Sequence, residues 1–137
     1  MKIISFNLTK LSAERFSNLN EKLKINTNID IFSIKNADVA ILDEKENIVE
    51  IDFNYIIDYD PKIAIIDFKG KIWASLDKKQ KKQLLDGWKD KKILDEIRIP
   101  LLNFIFQKSN IRALQLEEEL GLPLHLPMPR LSPNKKE

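Results

Sequence analysis

The stretch Val49 to Tyr59 constrains this chain more than any other. Val49, Ile51, Phe53, Tyr55, Ile57 and Tyr59 recur at every second position, and Glu50, Asp52, Asn54 and Asp58 stand between them. That period belongs to a strand, whose successive side chains point to opposite faces; a helix would scatter the same apolar set around its circumference. One face is aromatic and branched enough to need a covering layer, while the other carries enough acid to meet water. The fold must therefore contain an amphipathic sheet packed on one side.

Further strand signals flank this one. Residues 2 to 9 are short and apolar enough for a strand. In the connection from Ser12 to Lys24, Phe16, Leu19 and Leu23 sit at helical spacing on one stripe, which predicts a segment covering apolar surface. Ile25, Thr27, Ile29 and Ile31 then alternate with Asn26, Asn28 and Asp30, and the pattern runs on less cleanly through Ile34 towards Ile41. Asp43 to Asn47 reads as a polar turn, Asp60-Pro61 as another, and a fourth apolar run spans Ile63 to Leu76. Links this short favour antiparallel neighbours.

At Asp77 the signal becomes helical. Asp77 and Gln80 form a capping box, followed by Leu84, Leu85 and Trp88 against a lysine-rich face. A second stretch carries Ile93, Leu94, Ile97, Leu101, Phe104 and Ile105, and Pro100 within it predicts a break. Helix can continue from Asn110 to Leu120, where Gly121 and Pro123 supply a stop. Leu122 to Leu131 alternates proline with apolar residues and should lie extended on an apolar surface. The expectation is an α+β fold: a four-stranded antiparallel sheet (strand, crossover, three-strand meander) followed by two or three helices packed on one side. It forms one domain over residues 1–131, with a disordered polar tail over 132–137.

Composition narrows the function classes. With 43% hydrophobic and 32% charged residues in 137, the chain can bury a core without staples. Its 23 basic and 21 acidic residues nearly cancel, so no overall field favours nucleic acid. Zero cysteines exclude disulfides, a thiolate nucleophile and a cysteine zinc site, and suit a reducing cytoplasm. No stretch approaches the roughly 20 apolar residues of a membrane span. His125 is the only histidine and sits between leucines, which reads as a packed or surface residue, not a metal ligand.

Gly70, Gly87 and Gly121 are too scattered to cradle a phosphate. A carboxylate pair for acid–base work or Mg²⁺ could be drawn from Glu50, Asp52, Asp58, Asp60 and Asp67, but solvated strand faces account for them. Lys78, Lys79, Lys81, Lys82, Lys89, Lys91 and Lys92 are interleaved with Asp86 and Asp90, as a solvated helix face would be. No catalytic residue, metal or cofactor is expected, and the chain is not expected to be an enzyme.

Three stretches carry a likeness to a known family. Ile65-Ile-Asp-Phe-Lys-Gly-Lys-Ile-Trp-Ala-Ser75 resembles the fourth strand of SecB, the bacterial chaperone that holds unfolded preproteins for export. Ile97-Arg-Ile-Pro-Leu-Leu-Asn-Phe-Ile105 is similar to the stretch where an apolar-Pro step opens that family's long helix. Gly121-Leu-Pro-Leu-His-Leu-Pro-Met-Pro-Arg-Leu131 resembles its Leu/Pro-rich closing segment. These cover the C-terminal half; the N-terminal half matches only in pattern. The resemblance implies an ATP-independent holdase for unfolded or non-native polypeptides, assembled as a homotetramer that is a dimer of dimers.

The resemblance also implies site residues. Phe16 and Leu19 on the crossover, with Leu101 and Phe104 on the long helix, match the client groove, and Ile65 and Asp67 match positions that contact the motor SecA. Two departures weigh against SecA docking: the segment Lys35 to Asn47 is longer than the family's turn, and the chain ends in Lys135-Lys136-Glu137 where family tails are often acidic. SecB-like proteins also serve toxin-antitoxin systems, where the client is an antitoxin. The competing readings are an adaptor module that binds one folded partner, and a small enzyme using the strand-face acids.

Overall fold

A computed structural model describes residues 1–37 and 47–133. Four strands, β1 (Lys2–Arg15), β2 (Lys24–Asn36), β3 (Ile48–Asp60) and β4 (Ala64–Ser75), precede two helices, α1 (Lys78–Trp88) and α2 (Asp95–Glu119). The strands form one antiparallel sheet in the order β1-β4-β3-β2. β1 lies at one edge, the chain crosses over to β2 at the other edge, and β2, β3 and β4 follow as a meander. This is the expected α+β architecture with two helices. Among the described residues, no helix is long and apolar enough to cross a membrane.

The alternation of β3 persists in three dimensions. Ile51, Phe53, Tyr55, Ile57 and Tyr59 are fully buried, and on β4 Ile66, Phe68, Ile72 and Ala74 extend the same face. Ile97, Leu101, Ile105, Ala113 and Leu116 of α2 close the layer above them, with Leu84 of α1. Each fully buried large side chain contributes roughly 1.5–3 kcal/mol relative to exposure, so this layer is the main source of stability. α2 runs in the same direction as β3. Phe106 packs edge-on to Tyr55 at 5.9 Å and Glu117 meets the Tyr59 hydroxyl at 2.8 Å.

Three sequence expectations change. β1 does not end at residue 9 but continues to Arg15, paired with β4 throughout, and residues 16–23 form an irregular crossover instead of a helical stripe. The unclean alternation after Ile31 is a bulge: register shifts between Ile31 and Ser33, leaving Phe32 as the extra residue. Pro100 neither breaks nor starts a helix; α2 begins at Asp95 and passes through it. The polar turn from Asp43 and most of the long Lys35–Asn47 segment lie outside the described residues, as does the tail after Pro133.

The helix ends follow their local chemistry. Asp77 Oδ1 accepts the Gln80 N–H at 2.6 Å and Gln80 Oε1 accepts the Asp77 N–H at 3.5 Å, completing the capping box. At the other end Gly121 adopts φ +66°, which lets its own N–H reach Glu118 O at 3.1 Å and the Leu122 N–H reach Glu117 O at 2.8 Å. That left-handed step turns the chain back along α2.

Candidate functional site

The crossover is pinned by its backbone and offers its side chains to solvent. The Phe16 N–H donates to Ile63 O at 2.7 Å, and the Arg15 guanidinium donates to the last carbonyls of α2, Leu120 O at 2.9 Å and Gly121 O at 3.2 Å. Phe16 is 54% exposed and Leu19 42%. The two helix candidates sit elsewhere. Leu101 is fully buried in the core, so it offers nothing to a client. Phe104 is half-buried, edge-on to Phe6 at 5.7 Å, with Lys108 Nζ over its ring. Sixteen residues of helix, about 24 Å, separate Phe104 from the carbonyl of Leu120 where the crossover docks. The structure does not bring these four residues into one groove.

A surface absent from the sequence expectations lies at the β2 edge. The bulge turns Phe32 outward, 48% exposed, beside Trp88 and Lys91, whose Nζ stands 4.4 Å above the indole. Asp30, Ile31, Phe32, Trp88 and Lys91 line a hollow of about 360 Å³, and Ile29, Ile31 and Leu102 border an adjoining one of about 220 Å³. The interrupted alternation at Phe32 was the available signal for this site.

Ile65 and Asp67 lie on the sheet face away from the helices. Asp67 accepts from Lys10 Nζ and from Asn54 Nδ2, each at 3.0 Å, while Ile65 is half-buried. The remaining charges form a cross-strand lattice: Lys71 reaches Asp52 at 3.0 Å and Glu50 at 3.5 Å, and Lys35 reaches Glu50 at 3.2 Å. The Trp73 indole N–H donates to Glu50 at 3.1 Å and, with these lysines, holds its carboxyl below the usual range despite partial burial. Asp58 is pushed up by burial and by the neighbouring Asp60.

An internal polar cluster joins β3, α2 and the segment after it. Glu117 and His125 side chains are 0% and 2% exposed and meet at 2.7 Å through His125 Nδ1. Glu117 Oε2 also accepts from the Tyr59 hydroxyl at 2.8 Å, and Oε1 accepts the His125 N–H at 3.2 Å. His125 Nε2 lies 2.8 Å from Asn110 Oδ1 and 3.1 Å from the Tyr55 hydroxyl, which itself donates to Asn110. Enclosed this way, the imidazole fastens the C-terminal segment and cannot reach a substrate. Among the described residues no group of three His, Asp or Glu is placed to hold a metal ion.

No family model matches the chain, and no curated protein matches it. Among solved structures, it is similar to the SecB-like chaperone Rv1957 of Mycobacterium tuberculosis, determined in complex with a ChAD peptide from the Rv1956 HigA1 antitoxin. The TM-score is 0.55 at 16% sequence identity, over 96% of this chain and 87% of that one. At that identity the likeness speaks for architecture. The four-stranded antiparallel sheet with its two helices matches the fold of that SecB-like protein.

Proposed function

We propose that this protein is an ATP-independent holdase that binds unfolded or non-native polypeptides. The observation that carries the reading is the β2 edge, which no other strand pairs among the described residues, beside the Phe32–Trp88 hollow. An extended client can hydrogen-bond the unpaired backbone of an edge strand while an apolar side chain enters the adjoining pocket. Phe16 and Leu19, exposed on the crossover, offer a second, separate apolar patch. Ile99 and Phe106, seven residues apart on one face of α2 and 49% and 38% exposed, give copies of the chain a face for assembly, which supports a homo-oligomer and, by resemblance, a dimer of dimers. Docking to a SecA-type motor is not part of the reading.

The test is suppression of aggregation of a chemically denatured, unrelated protein without ATP, with oligomer size measured by light scattering on the same sample. Wild type should suppress; Phe32→Asp and Phe16→Asp should suppress less while keeping the wild-type Tm. A monodisperse monomer with no effect on aggregation would reject the reading and favour a single-partner adaptor. A narrower reading, a client limited to an antitoxin, draws on the peptide bound to the structural neighbour. Holding of one antitoxin segment with indifference to general unfolded chains would select it.

A further inference from the structure

The β2 edge has two chemically unlike sides. Ile29 and Ile31 stand in register with Tyr55 and Phe53, both fully buried, so they share the face turned to the helices. Asp30 stands in register with Asn54, which bonds Asp67 on the opposite face, so its carboxylate points away from the helices. On the helix side the smaller hollow is walled by Ile31, Trp88 and Leu102 and by two cations, Lys91 and Arg98. No acid stands among the described residues that line it. Arg98 is already engaged by Asp95 at 3.1 Å, whereas Lys91 makes no ion pair among the described residues.

Lys91 holds this place at a cost to its backbone. Its φ is +58°, a left-handed conformation in which a side chain is strained and glycine is the ordinary occupant. The step closes the turn after α1: the Lys91 N–H donates to Trp88 O at 2.8 Å and the Lys92 N–H to Gly87 O at 3.0 Å. Lysine at that step sets an ammonium 4.4 Å above the Trp88 ring, where the two hollows share a wall. A strained residue that lines both hollows is a marker of function.

We propose that Lys91 selects the clients of this edge, favouring an extended polypeptide with an acidic residue two positions from the apolar anchor that packs on Trp88. The inference rests on the polypeptide-binding reading above and adds the client's sequence chemistry. In a strand added to β2, residues two apart share a face and stand about 6.6 Å from one another. With an anchor against Trp88 and Ile31, a Glu or Asp two positions away therefore lies on the helix side with Lys91. A carboxylate one position away emerges on the outer side with Asp30, where like charges repel.

The experiment uses the full chain and two ten-residue synthetic peptides of one composition, each with a single tryptophan in a threonine-rich frame and the same fluorescent label. One carries glutamates two positions to either side of the tryptophan, the other at the adjacent positions. By anisotropy, wild type should bind the first about fivefold more tightly, and the gap should shrink as salt is raised. Lys91→Gln should bind the two alike, and Lys91→Glu should reverse their order. Lys91→Gly suits the left-handed step, so it should unfold no earlier than wild type while also losing the preference, which separates loss of the charge from damage to the turn. Equal affinities in wild type, or a preference that survives Lys91→Gln and Lys91→Gly, would overturn the proposal and leave the holdase reading standing. A wild type that holds denatured clients but neither peptide would also overturn the proposal alone. One that holds neither peptides nor clients would remove both.

Discussion

Gly70 on β4 faces the helix layer under the ring of Phe53, and Gly70→Ala tests whether that space is as full as it looks. A Cβ there would lie 2.5 Å from Phe53 Cζ, 2.6 Å from Cε1 and 2.8 Å from the backbone oxygen of Asn7. Carbon atoms settle at about 3.5–4.0 Å, so the ring must retreat by about 1 Å. It has nowhere easy to go. Phe53 is fully buried and stacked on Phe6 at 5.5 Å, and Phe6 in turn abuts Phe104. The third neighbour is backbone of the paired strand, which cannot move without disturbing the β1–β4 ladder. Overpacking costs about 1–3 kcal/mol, and the stiffer unfolded chain returns about 0.4–1 kcal/mol. A net loss of about 1–2 kcal/mol, or about 3–10 °C in Tm for a chain of this size, is expected from urea and thermal unfolding. Phe53→Leu removes the atoms in conflict, so Gly70→Ala/Phe53→Leu should lose at least about 1 kcal/mol less than the sum of the single changes. A Gly70→Ala protein as stable as wild type, or strict additivity in the cycle, would refute the argument.

Asp77→Ala should cost about 1 kcal/mol, read as a lower urea midpoint with unchanged slope, since it removes the side chain that caps α1. Leu101→Asp should unfold the protein, whereas Phe16→Asp should stay within about 0.5 kcal/mol of wild type, because only the first buries an unpaired carboxylate. The outer face predicts opposite pH responses. Glu50 is held below the ordinary glutamate value of 4.5, so its contribution is complete above that pH and fades as pH falls through the lowered value. Glu50→Gln should flatten the acid limb of the stability curve. Asp58 is raised above the ordinary 3.8, so its charge opposes folding at neutral pH; Asp58→Asn should raise Tm at pH 7 and leave it unchanged once pH falls below that value.

β3 was legible because its phase is unbroken for the length of the strand and its neighbours on both sides belong to the same sheet. β1 was not, for a physical reason. Its two bulges put Ile3, Phe6, Leu8 and Ala13 against the helix layer, spacings that no longer read as period two. Phe16, Leu19 and Leu23 show the converse, helical spacing in a segment whose backbone is committed to a crossover. At Pro100 local preference yielded to packing: Ile97, Leu101 and Ile105 are all anchored in the core, and the exposed proline deprives only Glu96 O of a partner, one turn from the helix start. The candidate site was legible only in pieces. Exposed Phe16 and Leu19 could be named from the crossover, but Phe32 and Trp88 meet through the fold, and nothing local joins them.

The internal cluster had a subtler signal, in the tyrosines of β3. A hydroxyl placed on the buried face of a central strand needs a partner, and Tyr55 and Tyr59 place two of them side by side under the end of α2. Burial, and the nearby Glu117 charge, push both phenols up, so they remain donors. A buried carboxylate must then collect further donors, and the C-terminal segment brings them as the ring and N–H of His125. The order of dependence fixes an order of costs. Tyr55→Phe should cost least, because Asn110 Oδ1 keeps His125 Nε2 as a neighbour. Tyr59→Phe should cost about 1–2 kcal/mol, since Glu117 keeps both donors from His125. Glu117→Ala should cost most, about 3 kcal/mol or more, because it strands the Tyr59 and His125 donors and opens a cavity besides. Urea midpoints for the three variants give the ranking directly. If Tyr59→Phe proved neutral, the hydroxyl would not be holding the buried charge, and the C-terminal segment would owe its position to Leu122 and the prolines alone.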